Sequence, residues 1–288
     1  TAEEIKKDER LFTHFIEGLV KYAPKDYDEG LGTVYERYVM DKYLRGIKRK
    51  YEISSVLEGP SDGITGIRGI NSLPFAEEGA NVTYLTPSTN EIAYVSKALK
   101  DLNSNAKIEI KKGGPLKFPF KDNTFDLTWN FCIIEHFMNP YPLVEEMARV
   151  SGKYVLLMNQ NKYNVGTYPH ILYHKLKKQE WDHGSLKWMS VAGLKKLARH
   201  ANLEVLEKGV IDVPLWPDTW DMPVRGIFKR VVGRFGKKWE WSTMTTLKKK
   251  EHIPPALKFF EKVENLPVPD FVKLPITHHL YLLCKKIE

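Results

Sequence analysis

Two histidines stand where they could act in catalysis. His136 follows Glu135 at the end of an apolar run, which continues from a strand-like stretch at residues 125–130. His183 lies in a polar segment, residues 159–190, that follows another apolar run. The ordinary pKa of histidine is about 6.5, so either ring could serve as a general acid or base. We therefore predict catalytic roles for both; the alternative for His136 is packing and hydrogen bonding that organise its loop.

Residues 159–190 also supply polar and aromatic side chains suited to a substrate pocket. Loops that follow strands often carry binding residues, although an exposed lid would have a similar composition. The predicted substrate-binding residues are Asn159, Tyr163, His170 and Tyr173, with Trp216 from a later tryptophan-rich segment; Asn161, His174 and Asp182 are further candidates. We interpret no cysteine and histidine cluster as having the spacing of zinc ligands, so no metal is predicted.

A glycine-rich turn lies upstream, at residues 56–69. An apolar run ends at Glu58, and Gly59, Gly63 and Gly66 then surround a turn that is expected to open a helix. Glycine lets a ligand approach the backbone, and the amide groups at a helix start can bind it. The turn is therefore a candidate cofactor site, with Glu58 as a hydrogen-bond acceptor. The alternative is an ordinary connection between a strand and a helix.

The elements that must position these residues are strands and helices in alternation. Short apolar runs alternate with segments of helical periodicity along most of the chain. This alternation predicts an α/β fold with a doubly wound, mostly parallel sheet, in which sites form at the carboxyl ends of strands. Strands are predicted at residues 53–57, 81–85, 106–110, 125–130, 153–158, 203–213 and 277–285, and helices at 2–22, 33–50, 64–75, 88–102, 141–150 and 191–201, with Thr33 and Glu36 forming a capping box.

The stretch at residues 116–137, LKFPFKDNTFDLTWNFCIIEHF, resembles the fourth-strand region of class I S-adenosylmethionine (SAM) methyltransferases, where the pattern LPFxDxxFDxV…LEH recurs. Residues 56–69 are similar to the family's first turn, and Pro87-Ser88 to the start of its second helix. The resemblance implies a seven-stranded, Rossmann-like sheet with an antiparallel last strand, and direct transfer of a methyl group from SAM. It implies cofactor contacts from Glu58, Gly59, Ser61, Gly63, Thr86, Pro87, Gly114 and Asn130.

Two acids of the family pattern are replaced in this chain. Thr86 stands where an acid would bind the ribose, and Gly113 and Gly114 stand where an acid would lie beside the adenine. Asn90 or Glu91 could compensate for the first, and a backbone amide or Asn130 for the second. Two other interpretations therefore stay open: a non-catalytic binding or scaffold protein with the same fold, and an NAD-dependent oxidoreductase, against which the absence of a GxGxxG motif argues.

The composition indicates a basic, globular protein. The 288 residues include 44 lysines and arginines against 36 acids, a formal net charge of +8, and 42% are hydrophobic, enough for a sizeable core. Cys132 and Cys284 lie in apolar runs, which predicts buried free thiols in a reducing compartment. The charged first residues do not resemble a signal peptide, and no apolar run is long enough to span a bilayer. We expect a cytoplasmic protein, with peripheral membrane contact as a further expectation.

The chain is predicted to have four parts: an N-terminal helical cap at 1–50, a SAM-binding α/β domain at 51–213, an aromatic and basic lid insertion at 214–276, and a final strand at 277–288. Residues 225–250 hold nine basic residues and one acid, with apolar residues at helical spacing. Such a helix can cap the chain's own site, lie on an anionic membrane surface or contact nucleic acid, for which no RNA-binding signature is present. The expected methyl acceptor is small or amphiphilic and anionic.

Overall fold

The computed structural model of the chain describes residues 29–60, 69–102, 106–181, 183–213, 224–248 and 255–287, together with residues 7, 10 and 12. These residues build one seven-stranded sheet in the order β3-β2-β1-β4-β5-β7-β6. The strands are β1 (Ser55–Glu58), β2 (Asn81–Thr86), β3 (Ile108–Lys112), β4 (Phe125–Phe131), β5 (Ser151–Gln160), β6 (Leu203–Ile211) and β7 (His279–Lys286). The helices are α1 (Leu31–Lys50), α2 (Leu73–Glu77), α3 (Thr89–Leu102), α4 (Tyr141–Val150), α5 (Thr167–Leu176), α6 (Val191–His200), α7 (Val224–Gly233), α8 (Thr243–Lys248), α9 (Pro255–Glu264) and α10 (Asp270–Lys273), with 3-10 turns at Ile134–His136 and Leu274–Ile276.

The strand directions confirm the predicted fold class. Strands β1 to β5 pair in parallel, and β7 pairs antiparallel with both β5 and β6. The last strand is therefore antiparallel, as the resemblance implies. Because β1, β2, β4 and β5 are parallel, their carboxyl ends meet at one edge of the sheet, and β7 begins at that same edge, where His279 pairs with Gln160.

The two faces of the sheet have separate apolar cores. On one face, Leu127, Trp129 and Phe131 of β4 pack with α1. On the other face, Leu57 of β1 and Leu157 of β5 pack with the apolar sides of α4 and α6. The central strands are thus buried on both faces, which explains why they read as nearly continuous apolar runs in the sequence.

The first long helix begins earlier than predicted. Helix α1 starts at Leu31, with Gly30 at its N-cap position at a φ of 92°, and no side chain caps it. Thr33 and Glu36 lie inside the helix, and both are buried. The predicted capping box is therefore wrong, because glycine supplies the non-helical backbone at the cap and the two polar side chains face the protein interior.

The helix predicted at residues 64–75 is wrong at residues 69–72 and confirmed at residues 73–75. Helix α2 covers only Leu73–Glu77, residues 69–72 are not helical, and residues 61–68 lie outside the described part of the chain. Pro74 suits the first turn of α2, where a missing N–H costs nothing. The turn before α2 is held by hydrogen bonds to Glu58, described below, which compete with helix formation.

Helix α9 brings residues late in the sequence onto α1. Leu257 and Phe260 are buried there, and the Phe260 ring lies 5.3 Å from the Tyr35 ring between centroids. The Tyr35 hydroxyl donates a 2.8 Å hydrogen bond to Glu264 at the end of α9. This part of the predicted insertion is thus packed on the helix that covers one face of the sheet.

Some predicted segments fall wholly or partly outside the described residues. Of the helix predicted at 2–22, residues 7, 10 and 12 are described and are helical. Phe12 is buried and stacks on Phe137 with 4.8 Å between ring centroids. Residues 214–223 and 249–254 of the predicted insertion are not described. Within the ranges given above, no helix has both the length and the apolar character needed to cross a membrane.

Candidate functional site

The candidate site lies where the parallel strands end. Glu58 is the last residue of β1, Thr86 the last of β2, and Asn130 and Asn159 lie near the ends of β4 and β5. The register pairs Glu58 with Trp129 of β4, so the strand ends are level with one another. All four polar side chains are buried. The edge therefore brings together residues that the sequence assigned to the cofactor and to the substrate.

Glu58 is bound by the protein's own groups. Its carboxylate accepts hydrogen bonds from the Asn71 side-chain amide at 2.8 Å and from the Ser72 backbone N–H at 2.9 Å, and Trp129 Nε1 donates to the Ser72 hydroxyl at 2.8 Å. Burial raises the pKa of Glu58 to about 7, although the hydrogen bonds from Ser72 and Asn71 and the Arg37 charge act to lower it. Glu58 thus holds the chain at the start of α2.

Gly59 makes the close approach between β1 and β2 possible. Its φ is +145°, and a Cβ added there would lie 2.6 Å from the backbone oxygen of Leu85. Its backbone N–H also donates to the Trp129 oxygen at 3.0 Å. No other residue fits this position without moving β2. Ser61 and Gly63, the other predicted cofactor residues of this turn, lie outside the described residues.

The carboxylate of Glu91 lies beside the end of β2. The Thr86 hydroxyl donates a hydrogen bond to Glu91 in the first turn of α3, and it accepts one from the Ser88 N–H at 3.1 Å. Of the two residues that could compensate for the missing acid, Asn90 is exposed, whereas Glu91 is buried beside Thr86. Pro87, between these groups, is half-buried. A buried carboxylate therefore lies beside the end of β2, on the helix that follows it.

The position expected to lie beside the adenine carries closely packed glycine. A Cβ at Gly113 would lie 2.6 Å from Leu85 Cδ1 and 2.8 Å from Pro119 Cδ, so a larger residue would have to displace both. Gly114, the predicted contact, is half-buried. An acidic side chain does not fit at Gly113, because the chain passes too close to Leu85 of β2 and to Pro119.

Two buried amides face the edge from β4 and β5. Asn130 Nδ2 donates to Met147 Sδ at 3.3 Å, and Asn159 Nδ2 donates to the Trp188 carbonyl at 3.3 Å. Neither amide oxygen has a hydrogen-bond partner among the described residues. Both oxygens can accept a hydrogen bond from a bound molecule.

His136 lies directly after β4, in the 3-10 turn Ile134–His136, and is half-buried. The backbone oxygen of the preceding residue, Glu135, accepts a 2.7 Å hydrogen bond from the Ser185 N–H. A Cβ at Gly184, whose φ is +83°, would lie 2.7 Å from the same oxygen. The turn that carries His136 is therefore in contact with the segment that follows His183.

His183 lies in a group of three histidines, which we call the histidine cluster: His170, His174 and His183. The first two lie one turn apart on α5, and one ring nitrogen from each of the three lies within 4.8 Å of the others. No cysteine and histidine cluster is expected to have the spacing of zinc ligands, yet these three rings lie together, in part because residues i and i+4 of a helix share one face. That spacing was visible in the sequence, but the approach of His183 was not.

The other predicted substrate residues are more dispersed. Tyr163 and Tyr173 are both about half exposed. Asn161 has a structural role, since its amide donates to the Thr277 carbonyl at 3.0 Å and holds the loop after β5 against the start of β7. Asp182 and Trp216 are not among the described residues.

A second buried group at this edge has no counterpart among the predicted site residues. His278 Nδ1 and Asp212 Oδ2 are 2.5 Å apart, and His279 Nδ1 lies 3.6 Å from Glu36 and 3.7 Å from Asp212. Burial acts to lower the pKa of His278, but the Asp212 carboxylate outweighs it and the pKa is raised. Burial and the neighbouring His278 hold the pKa of His279 well below its ordinary value.

One range of the chain matches the sequence model of a known family. Residues 65–156 match the model of a family described as a methyltransferase domain. This range runs from the glycine-rich turn into β5 and so includes the ends of β2 and β4. None of the curated proteins matches the chain.

The fold is similar to the folds of solved structures, of which two are given as examples. A protein of Bacillus halodurans C-125, classed provisionally as a methyltransferase, is 15% identical; the match covers 86% of this chain and 100% of that one, with a TM-score of 0.50. The magnesium protoporphyrin IX methyltransferase of Synechocystis PCC 6803, solved with bound SAH, is 10% identical, with 88% and 84% covered and a TM-score of 0.51. At these identities the likeness concerns the fold.

Proposed function

We propose that this chain is a class I, SAM-dependent methyltransferase and that it transfers the methyl group of SAM to a small or amphiphilic, anionic acceptor by in-line displacement; the family match and the similar folds support the proposal. The observation that carries the proposal is the Glu91 carboxylate beside Thr86, because it returns an acid to the strand end where the family pattern has one. SAM supplies a methyl group on a sulfonium centre, so the protein's main task is to align the acceptor with it.

Four residues would hold SAM in this proposal. Thr86 and Glu91 would contact the ribose hydroxyls, and the unpartnered amide oxygen of Asn130 would accept a hydrogen bond from the adenine or the amino group. Gly59 would keep the backbone close to the ligand. Since Thr86 and Glu91 are both buried, binding requires that this edge opens. Glu58 acts indirectly, by holding the start of α2.

His136 is the proposed acid or base for the acceptor. It is half-buried at the end of the 3-10 turn that follows β4, which supports a role at this edge of the sheet. An imidazole with a pKa near neutrality can take a proton from an acceptor hydroxyl or amine as the methyl group arrives. Asn159, which has an unpartnered amide oxygen on the neighbouring strand, is the proposed orienting residue for the acceptor.

Calorimetric titration with SAM and with S-adenosylhomocysteine tests the proposal. We expect binding of both, and we expect Glu91→Gln to weaken it by about tenfold, because a charge-assisted hydrogen bond contributes about 1.5–3 kcal/mol. Glu109→Gln is the matched control, since Glu109 is an exposed acid on neighbouring β3. No binding at millimolar ligand would refute SAM dependence. Equal weakening by both variants would show that the ribose site is elsewhere.

A basic and apolar surface on α7 supports an amphiphilic acceptor. Ile227 and Val231 are 58% and 45% exposed, and Phe235 just beyond the helix is 77% exposed. Phe228, the next residue along the helix after Ile227, instead packs against the protein and stacks on Trp239 with 5.5 Å between centroids. Exposed apolar side chains flanked by basic ones suit an anionic lipid surface. We therefore propose that α7 contacts anionic membranes.

Pelleting with liposomes tests this second part separately. We expect the protein to pellet with vesicles that contain an anionic lipid and to stay in solution with neutral ones. The double variant Lys229→Glu/Arg230→Glu should abolish pelleting, whereas Lys196→Glu/Arg199→Glu, a matched reversal on exposed positions of α6, should not. Equal pelleting of both variants would remove α7 from the proposal and leave SAM binding untouched.

A further inference from the structure

We propose that the histidine cluster is a binding site for one divalent metal ion of the zinc type. The site is independent of the proposed methyl transfer. Its ligands would be one ring nitrogen each from His170, His174 and His183, which already lie within 4.8 Å of one another. Imidazole is the neutral side chain that zinc, copper and nickel ions prefer.

The protonation of His174 is fixed by its surroundings. Its Nδ1 lies 2.8 Å from the backbone oxygen of Glu180, and since a carbonyl oxygen can only accept, Nδ1 carries the proton. In the neutral ring, Nε2 then carries a lone pair, which is directed toward His170 Nε2. Histidine ligands of metals commonly donate their second ring N–H to a carbonyl in this way, which orients the ring and raises its basicity.

The spacing of the nitrogens suits a tetrahedral ion. His174 Nε2 lies 3.2 Å from His170 Nε2. Two nitrogens bonded at about 2.0–2.1 Å to a tetrahedral zinc ion are about 3.3 Å apart. The first two ligands are therefore already separated by one edge of the coordination tetrahedron, and a ring nitrogen of His183 lies within 4.8 Å of both.

The third histidine is positioned by packing and by backbone contacts. The Trp181 ring lies between 4.9 and 5.7 Å from each of the three histidine rings, measured between centroids. Trp181 Nε1 donates to the Gly184 carbonyl at 2.7 Å, so the tryptophan and the residue after His183 are joined. The indole thus forms a rigid wall beside the cluster and reduces the ordering that metal binding would require.

Three histidines leave a fourth position open on the ion. Zinc sites with three protein ligands bind water or an anionic group at that position. The segment that follows His183 contacts Glu135 through the Ser185 N–H, so the cluster is linked to the turn that follows β4. A carboxylate, thiolate or phosphate group of a small molecule is the chemical class of ligand that such an ion would accept.

The test is metal binding by the tag-free protein, because a polyhistidine tag would bind the same ions. Zinc titrated in competition with a chromophoric chelator should bind one ion per chain with sub-micromolar affinity. Cobalt in its place should give the intense visible absorption of a tetrahedral site. Affinity should fall as the pH is lowered, because imidazoles must be deprotonated to bind.

Two single variants and one control identify the ligands. His174→Ala and His170→Gln should each weaken zinc binding at least about tenfold, since loss of an indirect contact alone costs 10–100-fold. His200→Gln, which changes a histidine outside the cluster, should bind zinc like the unchanged protein. Circular dichroism shows whether each variant is folded, and exposed His170 is the substitution least able to disturb folding. Absence of saturable zinc binding, or unchanged affinity in both cluster variants, would overturn the proposal, and neither outcome depends on SAM binding.

Discussion

The end of β1 and the histidine cluster both gather ionisable side chains, yet they differ in what those side chains already bind. The Glu58 carboxylate at the end of β1 is fully buried and accepts two hydrogen bonds from the residues that precede α2. In the histidine cluster, His170 is exposed, His174 and His183 are half-buried, and the ring nitrogens converge on one another. The first group is occupied by the protein itself, and the second has the geometry to receive a ligand.

The difference follows from the cost of burial. A buried carboxylate without partners is unstable, so a protein that buries one must supply donors. Half-exposed imidazoles are in contact with solvent, so the protein need not provide hydrogen-bond partners for them. A family motif therefore indicates where a site lies, but the burial and the partners of each side chain determine whether it binds a ligand or supports the backbone.

The largest expected effect concerns Gly59→Ala. A Cβ would lie 2.6 Å from the Leu85 backbone oxygen at a φ of +145°, and we expect a loss of about 3–5 kcal/mol from strain and overpacking. Denaturant unfolding measures it. Gly46→Ala is the control: a Cβ added at this exposed glycine of α1 would have no neighbouring atom within 4 Å, and alanine there should stabilise by up to about 1 kcal/mol. Similar stability in the two variants would show that β1 and β2 are not closely packed.

The second effect is the pH dependence contributed by Glu58. Its pKa is raised from 4.5 to about 7 in the folded protein, so its stabilising contribution is complete below pH 4.5 and is lost as the pH rises through 7. The loss is on the order of 3 kcal/mol. In Glu58→Gln the side chain stays neutral, and the unfolding free energy should fall less between pH 5 and pH 8. An unchanged pH profile would mean that Glu58 is ionised throughout.

A smaller effect is expected for Gly184→Ala. This substitution changes the histidine cluster but leaves the end of β1 intact. Its φ is +83° and its Cβ would press on Glu135, so we expect a loss of about 2 kcal/mol and weaker zinc binding through displacement of His183. Gly236→Ala has a similar φ of +67° but no neighbour within 4 Å, and so measures the backbone strain alone. If Gly184→Ala keeps full zinc affinity, the contact with Glu135 does not position His183.

The smallest effect is expected for a histidine that is in neither region. His200 Nε2 lies 2.9 Å from Glu145 Oε1, and both side chains are about half exposed. His200→Gln should cost less than about 1 kcal/mol, because exposed ion pairs contribute little. Thermal unfolding is the suitable measurement. A loss above about 2 kcal/mol would contradict the view that exposure determines the role of these histidines.

Much of the sheet can be predicted from local pattern alone. Strand β4 is predicted at 125–130 and is observed at Phe125–Phe131, because a buried apolar run follows a well-marked turn. The helix predicted at 64–75 fails over residues 69–72, because Glu58 fixes Ser72 through a contact that no local pattern encodes. Likewise Gly30 rather than Thr33 caps α1.

The candidate site is less predictable than the fold, for the same physical reason. The compensating acid at Glu91 could be named as one of two options because it follows Thr86 closely in the chain. The joining of His183 to His170 and His174 depends on a loop held by Gly184 against Glu135. The group of Glu36, Asp212 and His279 joins three distant parts of the chain. Such contacts exist only once the tertiary fold is formed.

The place of β7 in the sheet has a consequence for how the chain folds during synthesis. Although it comes last in sequence, β7 lies between β5 and β6 and pairs with both. A ribosome adds about 5–20 residues per second, so β5 waits on the order of 10 s after its own synthesis for the strand that covers its edge. During that time the nascent chain presents an unpaired strand edge, which is a template for aggregation. We therefore expect the nascent chain to need protection by a chaperone until residues 279–286 have emerged.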